Sequence, residues 1–271
     1  SDDLWKCGIK VVGPKKSLAQ IETSKSFARD LFKEYQIPGG PQYQSFESIE
    51  GVSQFLKELG DNYVVKYDGL AGGKGVKVSS VHLKNIDEGL QFCKSILELN
   101  GSFLIEEKLF GSEFSLHTIT DGKHLSHMFP IQDFKRLDDN NKGLNTGSLG
   151  CISGNLNFLD NNNVRIAQEI NKEILVLLKK IDYNGKSYKG FLYGSFIKTI
   201  DNKVKIIEFN SRLGDPEAIP LLTLLKSDLY DIFKKIINQN LKNINIEFKS
   251  EFSLTRYIVP TSYCRPEIEF K

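Results

Sequence analysis

Residues 64–78 of this chain have the sequence VVKYDGLAGGKGVKV, and this stretch is the first indication of its fold. Two short runs typical of β-strands, residues 63–66 and 76–79, flank a loop that contains four glycines and a lysine. Glycine lets the backbone approach a ligand closely, and successive free N–H groups form a concavity that favours anions. With Lys66 and Lys74 beside it, the loop is predicted to bind a polyphosphate. The alternative is an ordinary glycine-containing hairpin, since short motifs also arise by chance.

The loop differs from two better-known phosphate-binding motifs. A Walker loop needs a glycine, four further residues and then Gly-Lys-Ser/Thr at the start of a helix. Here Asp68 stands at the first glycine position, Gly75 replaces the hydroxyl residue, and a strand follows. The G-x-G-x-x-G spacing of dinucleotide-binding proteins is also absent. A glycine loop between two strands therefore predicts a flexible flap over phosphates.

The composition is that of a protein that handles a small ligand. The 271 residues allow one large domain or two small ones, and 40% hydrophobic with 26% charged residues is ordinary for a globular chain. A net charge of +2 argues against a nucleic-acid or membrane surface as partner. There is no long apolar run, signal-peptide pattern or C-x-x-C pair, which predicts a cytoplasmic protein. Oligomeric state is not indicated by any of these features.

Hydrophobic periodicity predicts an α+β protein whose strands pair through hairpins rather than through βαβ units. Helices are predicted at residues 17–36, 47–59, 86–99, 163–180 and 221–238. Strands are predicted at residues 9–14, 63–66, 76–79, 103–107, 113–120, 124–131, 191–199, 203–210 and 253–260. Residues 133–163 are polar and lack periodicity, which predicts a long loop that is either functional or disordered.

The strand at residues 204–210 contains a candidate metal site. A side-chain period of two predicts that Val204, Ile206, Glu208 and Asn210 share one face. A buried carboxylate is costly unless it is paired or binds a metal. Two protein oxygens together with phosphate oxygens and water are the usual ligands of Mg²⁺. The alternative is that Glu208 pairs with a lysine or arginine of the core.

Two charged residues follow this strand. Arg212 is placed to clamp a phosphate or a substrate carboxylate through its planar guanidinium. Asp215 precedes Pro216 and is predicted either to cap the next helix or to meet a substrate amine.

Six sequence blocks in this order resemble the ATP-grasp ligases, and among them the phosphoribosylamine–glycine ligase family. The resemblance runs from about Lys10 to Pro260, and no single block would be specific. The blocks are Ser24-Lys25-x-Phe27-Ala28, Lys66-x-Asp68-Gly69-Leu70-Ala71-x-Gly73-Lys74-Gly75, Ile105-Glu106-Glu107 with Gly111-x-Glu113, Gln132-Asp133-x-Lys135-Arg136, Asn145-Thr146-Gly147, and Ile207-Glu208-Phe209-Asn210-x-Arg212-x-Gly214-Asp215-Pro216-Glu217.

The resemblance implies two α+β subdomains that grip ATP between them. It implies that glycine and ATP form an enzyme-bound glycyl phosphate, which the amine of 5-phosphoribosylamine attacks to give glycinamide ribonucleotide, ADP and phosphate in purine biosynthesis. Residues 17–250 would form the ATP-grasp domain, with about 50–115 as its smaller lid. Residues 1–16 would be the remnant of an amino-terminal domain or a linker, and residues 251–271 the start of a carboxy-terminal domain.

The resemblance also implies the roles of individual residues. ATP would be bound by Lys25, Lys66, Gly72, Gly73, Lys74, Gly75, Glu106, Glu107, Lys108, Leu109 and Glu113. Either Glu106 or Glu107 would contact adenine, since alternation points them to opposite faces. Mg²⁺, or Mn²⁺ in its place, would be bound by Glu208 and Asn210. Arg212 and Lys135 would be catalytic, and the substrates would be surrounded by Asp133, Arg136, Asn145, Thr146 and Asp215.

The chain departs from the family pattern in one loop and at its two ends. The family has Gly-Pro-Asn-Thr-Gly-Gly-Met-Gly where residues 143–150 read GLNTGSLG, so Ser148 replaces a glycine and Leu149 a methionine. This change leaves open a ligase for a different acid or amine. The flanking domains of the family are not represented, which leaves open an ATP-binding module with little turnover.

Overall fold

The computed structural model describes residues 1–71, 75–138, 142–182, 188–260 and 263, with the side chains of residues 142, 144 and 145 left aside. The helices in these ranges are α1 (Asp2–Lys6), α2 (Gln20–Thr23), α3 (Lys25–Glu34), α4 (Val52–Leu59), α5 (Ile86–Glu98), α6 (Asn161–Ile181), α7 (Ala218–Leu224) and α8 (Leu229–Ile237). The strands are β1 (Tyr43–Phe46), β2 (Tyr63–Tyr67), β3 (Val76–Val78), β4 (Phe103–Glu107), β5 (Gly111–Thr120), β6 (Leu125–Asp133), β7 (Arg136–Asp138), β8 (Lys142–Asn145), β9 (Gly150–Ser153), β10 (Gly190–Thr199), β11 (Val204–Asn210) and β12 (Ser253–Arg256).

The smaller sheet has the order β1-β4-β2-β3, and all its neighbouring strands are antiparallel. One face packs on α4 and α5 around a core that includes Phe55, Val65 and Ile105. Because side chains alternate along a strand, Lys66 and Glu106 point to the opposite face. This sheet therefore carries its own core on one side and two charged groups on the other.

The larger sheet has the order β11-β10-β5-β6-β9-β12 and is also antiparallel throughout. Its first face packs against α3 and α6 through a core that includes Leu116, Phe196 and Ile174. Its second face is apolar where α7 and α8 cover it. The polar remainder of that second face holds the candidate site.

A β-bulge at Ile207 changes which side chains of β11, the strand of the candidate metal site, share a face. Ser195 pairs with Glu208 but Phe196 pairs with Ile206, so Ile207 is an extra residue in β11. Ile206 before the bulge and Phe209 after it both lie in the α3–α6 core. Glu208 and Asn210 therefore lie on the opposite face from Val204 and Ile206, and the prediction that all four share one face is wrong.

Several predicted boundaries differ from the structure because local capping interrupts the helical pattern. Residues 17–36 form α2 and α3, since Ser24 is extended and its side chain accepts a hydrogen bond from the Phe27 N–H. Residues 221–238 lie in α7 and α8, separated before Asp228, which caps α8 through the Asp231 N–H. Residues 47–59 become helical only at Val52.

Two predicted segments differ in type. No strand forms at residues 9–14, because no neighbouring strand pairs with that segment within the described ranges. The predicted loop at 133–163 contains β7, β8 and β9, and β9 pairs with β6 and β12. Periodicity missed these strands because they are only three or four residues long.

None of the helices described here is both long and apolar enough to span a bilayer. The cytoplasmic location and the domain boundaries stay predictions.

Candidate active site

The floor of the candidate site is formed by cross-strand rows on the second face of the larger sheet. One row joins Ser115, Ser195 and Glu208, and the next joins His117, Tyr193 and Asn210. The side chains of Glu208 and Asn210 make no hydrogen bond or ion pair with any residue that the structure describes. Both oxygen donors are therefore available to a ligand.

Opposite this floor lies a buried ion cluster that consists of Arg29, Lys66 and Glu106. The Glu106 carboxylate lies 2.6 Å from the Arg29 Nε and 2.6 Å from the Lys66 Nζ. Both cations also donate to the carbonyl oxygen of the bulged Ile207, at 2.6 and 3.3 Å. The exposed fractions are 2% for Arg29, 6% for Lys66 and 3% for Glu106. The cluster thus joins α3, both inner strands of the smaller sheet and β11.

The charges of this cluster do not cancel. Burial alone would raise the pKa of Glu106, but Arg29 and Lys66 reverse this effect and lower it. Two cations against one carboxylate leave one positive charge beside the cleft. Such an excess favours an anionic ligand such as a phosphate.

The two adjacent glutamates of the predicted adenine segment have different surroundings. Glu106 points into the cluster, whereas Glu107 accepts a hydrogen bond from the Gln42 N–H at 3.0 Å and lies 3.3 Å from the Lys205 Nζ. Lys108 donates to the carbonyl of Ser79 at 2.8 Å. Glu106 is thus the one on the face that carries Lys66, and the adenine contact itself stays a prediction.

The start of the glycine loop is fixed to the first turn of α3. The Asp68 carboxylate accepts hydrogen bonds from the backbone N–H groups of Lys25 and Ser26, at 2.5 and 3.2 Å. The Lys25 Nζ donates to the Gly69 carbonyl at 2.9 Å. Burial lowers the pKa of Lys25, although the Glu208 charge opposes this shift. Lys25 therefore lies between the loop and the metal-site strand.

The loop itself is only partly described. Gly72, Gly73 and Lys74 lie outside the described residues. A Cβ at Gly75 would lie 2.7 Å from the Cβ of Ala71, so the two ends of the loop approach too closely for a side chain there.

The predicted substrate residues of β6 and the following turn lie near one another. The Lys135 Nζ lies 3.6 Å from the Asp133 carboxylate and 3.7 Å from that of Glu113. Burial acts to lower the pKa of Lys135, but Tyr193 and the carboxylates of Glu113, Asp133 and Glu208 raise it above its usual value. Lys135 is therefore a protonated cation at the edge of the site.

The remaining predicted substrate residues have structural partners. Arg136 donates to the Gly143 carbonyl at 3.1 Å, and the Thr146 hydroxyl donates to the Lys135 carbonyl at 2.9 Å. Both contacts brace the β7–β8 hairpin. The side chain of Asn145 lies outside the described part of the structure.

Arg212 and Asp215 are held by residues that the sequence did not indicate. The Arg212 Nε lies 2.9 Å from the Glu22 carboxylate. Asp215 accepts a hydrogen bond from the Tyr257 hydroxyl at 2.9 Å. The N-cap residue of α7 is Glu217, with no side-chain cap, so the structure does not support the capping role for Asp215. The substrate-amine role stays a prediction.

The sequence also did not indicate a buried polar network that includes two residues of the floor, His117 and Tyr193. His117 Nε2 accepts a hydrogen bond from the Gly214 N–H at 3.0 Å, which fixes a neutral ring with its proton on Nδ1. The Tyr193 hydroxyl donates to Glu217 at 3.0 Å, and burial raises the pKa of Glu217. Side-chain alternation in the strand predicted at residues 113–120 is a signal that could have put His117 on the face of Glu113. Only the sheet order brings Tyr193 beside it.

This histidine gives the fold a pH dependence. Burial, with a contribution from Arg212, lowers the pKa of His117 from 6.5 to about 3. Below pH 6.5 the unfolded chain therefore binds more protons than the folded one, so stability falls as the pH is lowered towards 3. Between pH 7.5 and 5.5 we expect a loss of about 1.4 kcal/mol from this residue. Urea unfolding at both pH values measures it. His117→Gln, which keeps an acceptor but does not titrate, should remove that share of the loss, and an unchanged pH slope in the variant would contradict this account.

The donor set fits a magnesium ion that shares its coordination with a ligand. In the described ranges no three His, Cys, Asp or Glu side chains come together as a metal site. Mg²⁺ is often held by only one or two protein groups together with phosphate oxygens and water. Glu208 and Asn210 meet that requirement, since both are oxygen donors on one face and neither side chain has a hydrogen-bond or ion-pair partner in the part of the chain that the structure describes.

The chain combines two sheets, a glycine loop between β2 and β3, lysines on one side of the cleft and the Glu-Asn pair on the other. This combination defines an ATP-grasp protein. The family model described as "Phosphoribosylglycinamide synthetase, ATP-grasp (A) domain" matches residues 23–218. The chain therefore belongs to the phosphoribosylglycinamide synthetase ATP-grasp family, which confirms the predicted fold and family.

Named relatives agree with this assignment. Over 97% of its length the chain is 44% identical to the phosphoribosylamine–glycine ligase of Methanococcus vannielii and 42% identical to that of Methanocaldococcus jannaschii. It covers 61% and 60% of those two proteins, respectively. The crystal structure of the Thermotoga maritima phosphoribosylamine–glycine ligase matches 90% of this chain and 61% of its own, with a TM-score of 0.77 and 29% identity. A biotin carboxylase from Campylobacter jejuni shares the fold at 15% identity and a TM-score of 0.72.

Proposed function

We propose that this chain is the ATP-binding and catalytic part of a phosphoribosylamine–glycine ligase. The reaction joins glycine to 5-phosphoribosylamine and converts ATP to ADP and phosphate. The observation that carries the proposal is the pair Glu208 and Asn210, which lies between the cationic residues of the cleft and Lys135. Among the described residues, neither side chain has a hydrogen-bond or ion-pair partner. The names of the relatives support the choice of substrates. Since the chain spans about 61% of their length, the activity of the whole protein is part of this proposal.

The phosphoryl transfer follows from the charges of the cleft. Lys25 and Lys66 would contact the ATP phosphates, with the glycine loop closed over them and Glu113 near the ribose. Glu208 and Asn210 would hold Mg²⁺, or Mn²⁺ in its place, which neutralises phosphate charge. A carboxylate oxygen of glycine attacks the γ-phosphorus, the bond to ADP breaks, and a glycyl phosphate forms. Lys135 and Arg212 would stabilise the negative charge on the transferred group.

The amide-forming step uses the other side of the floor. The phosphoribosylamine nitrogen attacks the acyl carbon, inorganic phosphate leaves with the former glycine oxygen, and the nitrogen gives up a proton. Asp133 and Asp215 are carboxylates that can orient the amino groups of the two substrates. An acyl phosphate hydrolyses readily, so a closed loop that excludes water supports this chemistry.

The direct test is ADP release by the intact protein with ATP and Mg²⁺, with and without glycine and freshly generated phosphoribosylamine. We expect release to depend on both substrates. Turnover with another amino acid but not with glycine would contradict the proposal. Tight Mg-ATP binding without any turnover would instead support a binding module, although such a module has no need of Lys66, Glu208, Asn210 and Arg212 together.

A second candidate is an ATP-grasp ligase for a different acid or amine. The observation that favours it is Ser148, a buried side chain beside Asp133 at a position where the family resemblance leads one to expect glycine. A panel of amino acids and amines in the same assay distinguishes the two candidates.

A further inference from the structure

Ser148 has a backbone conformation that its side chain disfavours. Its φ is +151°, in the region that glycine adopts readily and other residues rarely do. A non-glycine residue persists in such a conformation when its surroundings enforce it, and residues of this kind cluster at functional sites. Contacts of the Ser148 side chain must therefore compensate for the strain of this backbone conformation.

The contacts of the Ser148 hydroxyl provide this compensation. The residue is 4% exposed, and its Oγ lies 2.5 Å from the Asp133 Oδ1. The same Oγ accepts a hydrogen bond from the Gly150 N–H at 3.0 Å. Since a hydroxyl has one proton, and a carboxylate is the stronger acceptor, that proton is directed at Asp133. The competing acceptor, the Gly150 carbonyl oxygen, lies farther from the Ser148 Oγ, at 3.2 Å.

The orientation of the Asp133 carboxylate is set by two neighbouring side chains. Its other oxygen, Oδ2, lies 3.6 Å from the Lys135 Nζ. Ser148 and Lys135 therefore hold the two oxygens from different sides and fix the plane of the carboxylate. Other titratable groups that act on Asp133 or are acted on by it are Glu113, Cys151, Tyr193 and Glu217.

We propose that Ser148 is a positioning residue that orients Asp133 to bind the ammonium group of the amino-acid substrate. The inference deepens the proposed function and rests on it for the identity of that substrate. Burial raises the pKa of Asp133, while the hydrogen bond from Ser148 and the charge of Lys135 oppose this shift. Ser148 thereby also helps to keep Asp133 ionised, which is the form that attracts an ammonium group.

The kinetic test compares Ser148→Gly with Ser148→Ala in the intact protein. Both variants lose the hydroxyl, so we expect both to raise KM for glycine about tenfold, the effect of one lost hydrogen bond to a charged group. KM for ATP should stay at the wild-type value. Only the glycine variant relieves the backbone, so it should have the higher melting temperature of the two. If Ser148 had only a structural role, KM for glycine would follow the melting temperature, so the two variants would differ in KM as they differ in stability.

Ser80 offers a matched control. It has a φ of +59°, is exposed, and lies two residues after the end of β3 in the smaller sheet. Ser80→Gly should likewise be more stable than Ser80→Ala, but KM for glycine should not change in either variant. A wild-type KM for glycine in Ser148→Gly would overturn the proposal.

A second readout does not depend on turnover. The Asp133 carboxyl can be titrated by NMR with ¹³C-labelled aspartate and assigned by its absence from Asp133→Asn. Loss of the Ser148 hydroxyl should raise the Asp133 pKa in both Ser148 variants. If the wild-type protein proves not to use glycine, the proposed function fails while this shift still supports the positioning role. An unchanged pKa in both variants would overturn that role whatever the substrate is.

Discussion

Glu208→Gln is expected to weaken Mg²⁺-dependent ATP binding about 100-fold while leaving the fold intact. Residues that merely support a metal ligand change metal affinity by about 10- to 100-fold, and Glu208 is proposed to be a ligand itself. The substitution keeps the shape of the side chain and removes its charge. Since Glu208 makes no hydrogen bond or ion pair with the described residues, we expect removal of its charge to change the stability of the fold little. Titration of ATP binding at several Mg²⁺ concentrations, with thermal unfolding alongside, measures both effects.

Glu169→Gln is the matched control for this experiment. Glu169 lies on α6, half exposed, where it pairs with Lys172 at 3.4 Å. It should bind ATP like the wild-type protein. If Glu208→Gln retained wild-type ATP affinity and the same dependence on Mg²⁺, the metal assignment would be wrong.

Glu106→Gln is expected to reduce the free energy of unfolding by about 3 kcal/mol, because it leaves two buried cations without their anion. The Arg29 and Lys66 side chains are almost inaccessible to water and cannot be solvated in place of the lost carboxylate. ATP binding should weaken as well, since Lys66 would lose the partner that orients it. Urea unfolding monitored by circular dichroism measures the change.

The neighbouring Glu107→Gln is a control with the same substitution one residue away. Glu107 and Lys205 are about one-third exposed, and ion pairs of that kind contribute less than about 1 kcal/mol. We therefore expect a small change in stability for Glu107→Gln. Equal losses in the two variants would show that the Arg29–Lys66–Glu106 cluster does not hold the smaller sheet to the larger one.

The sequence was sufficient for the class, the family and most strands, because hairpin signals and the ordered motifs are local. It could not place Glu208 correctly relative to Ile206. Strict alternation has no means of detecting the extra residue at Ile207, which depends on how β11 pairs with β10. The bulge that the sequence did not reveal has two consequences for the site. It turns Glu208 into the cleft, and it presents the Ile207 carbonyl to Arg29 and Lys66.

The partners of the site residues were equally beyond sequence reasoning. Arg29 is 77 positions from Glu106, and Glu22 is 190 positions from Arg212. The amphipathic pattern of the helix that contains Arg29 does not distinguish this residue from an arginine at the surface. Ser148 is different, because its departure from the family pattern was visible, although its contact with Asp133 was not.

In the proposed reaction, the cleft activates a carboxylate by forming an acyl phosphate. Glycine labelled with ¹⁸O in its carboxylate tests this most directly, with the intact protein, ATP, Mg²⁺ and phosphoribosylamine in unlabelled water. Because the attacking glycine oxygen leaves with the phosphate, we expect one labelled oxygen in each inorganic phosphate released, detected by mass spectrometry. Phosphate released without label during amide formation would contradict it.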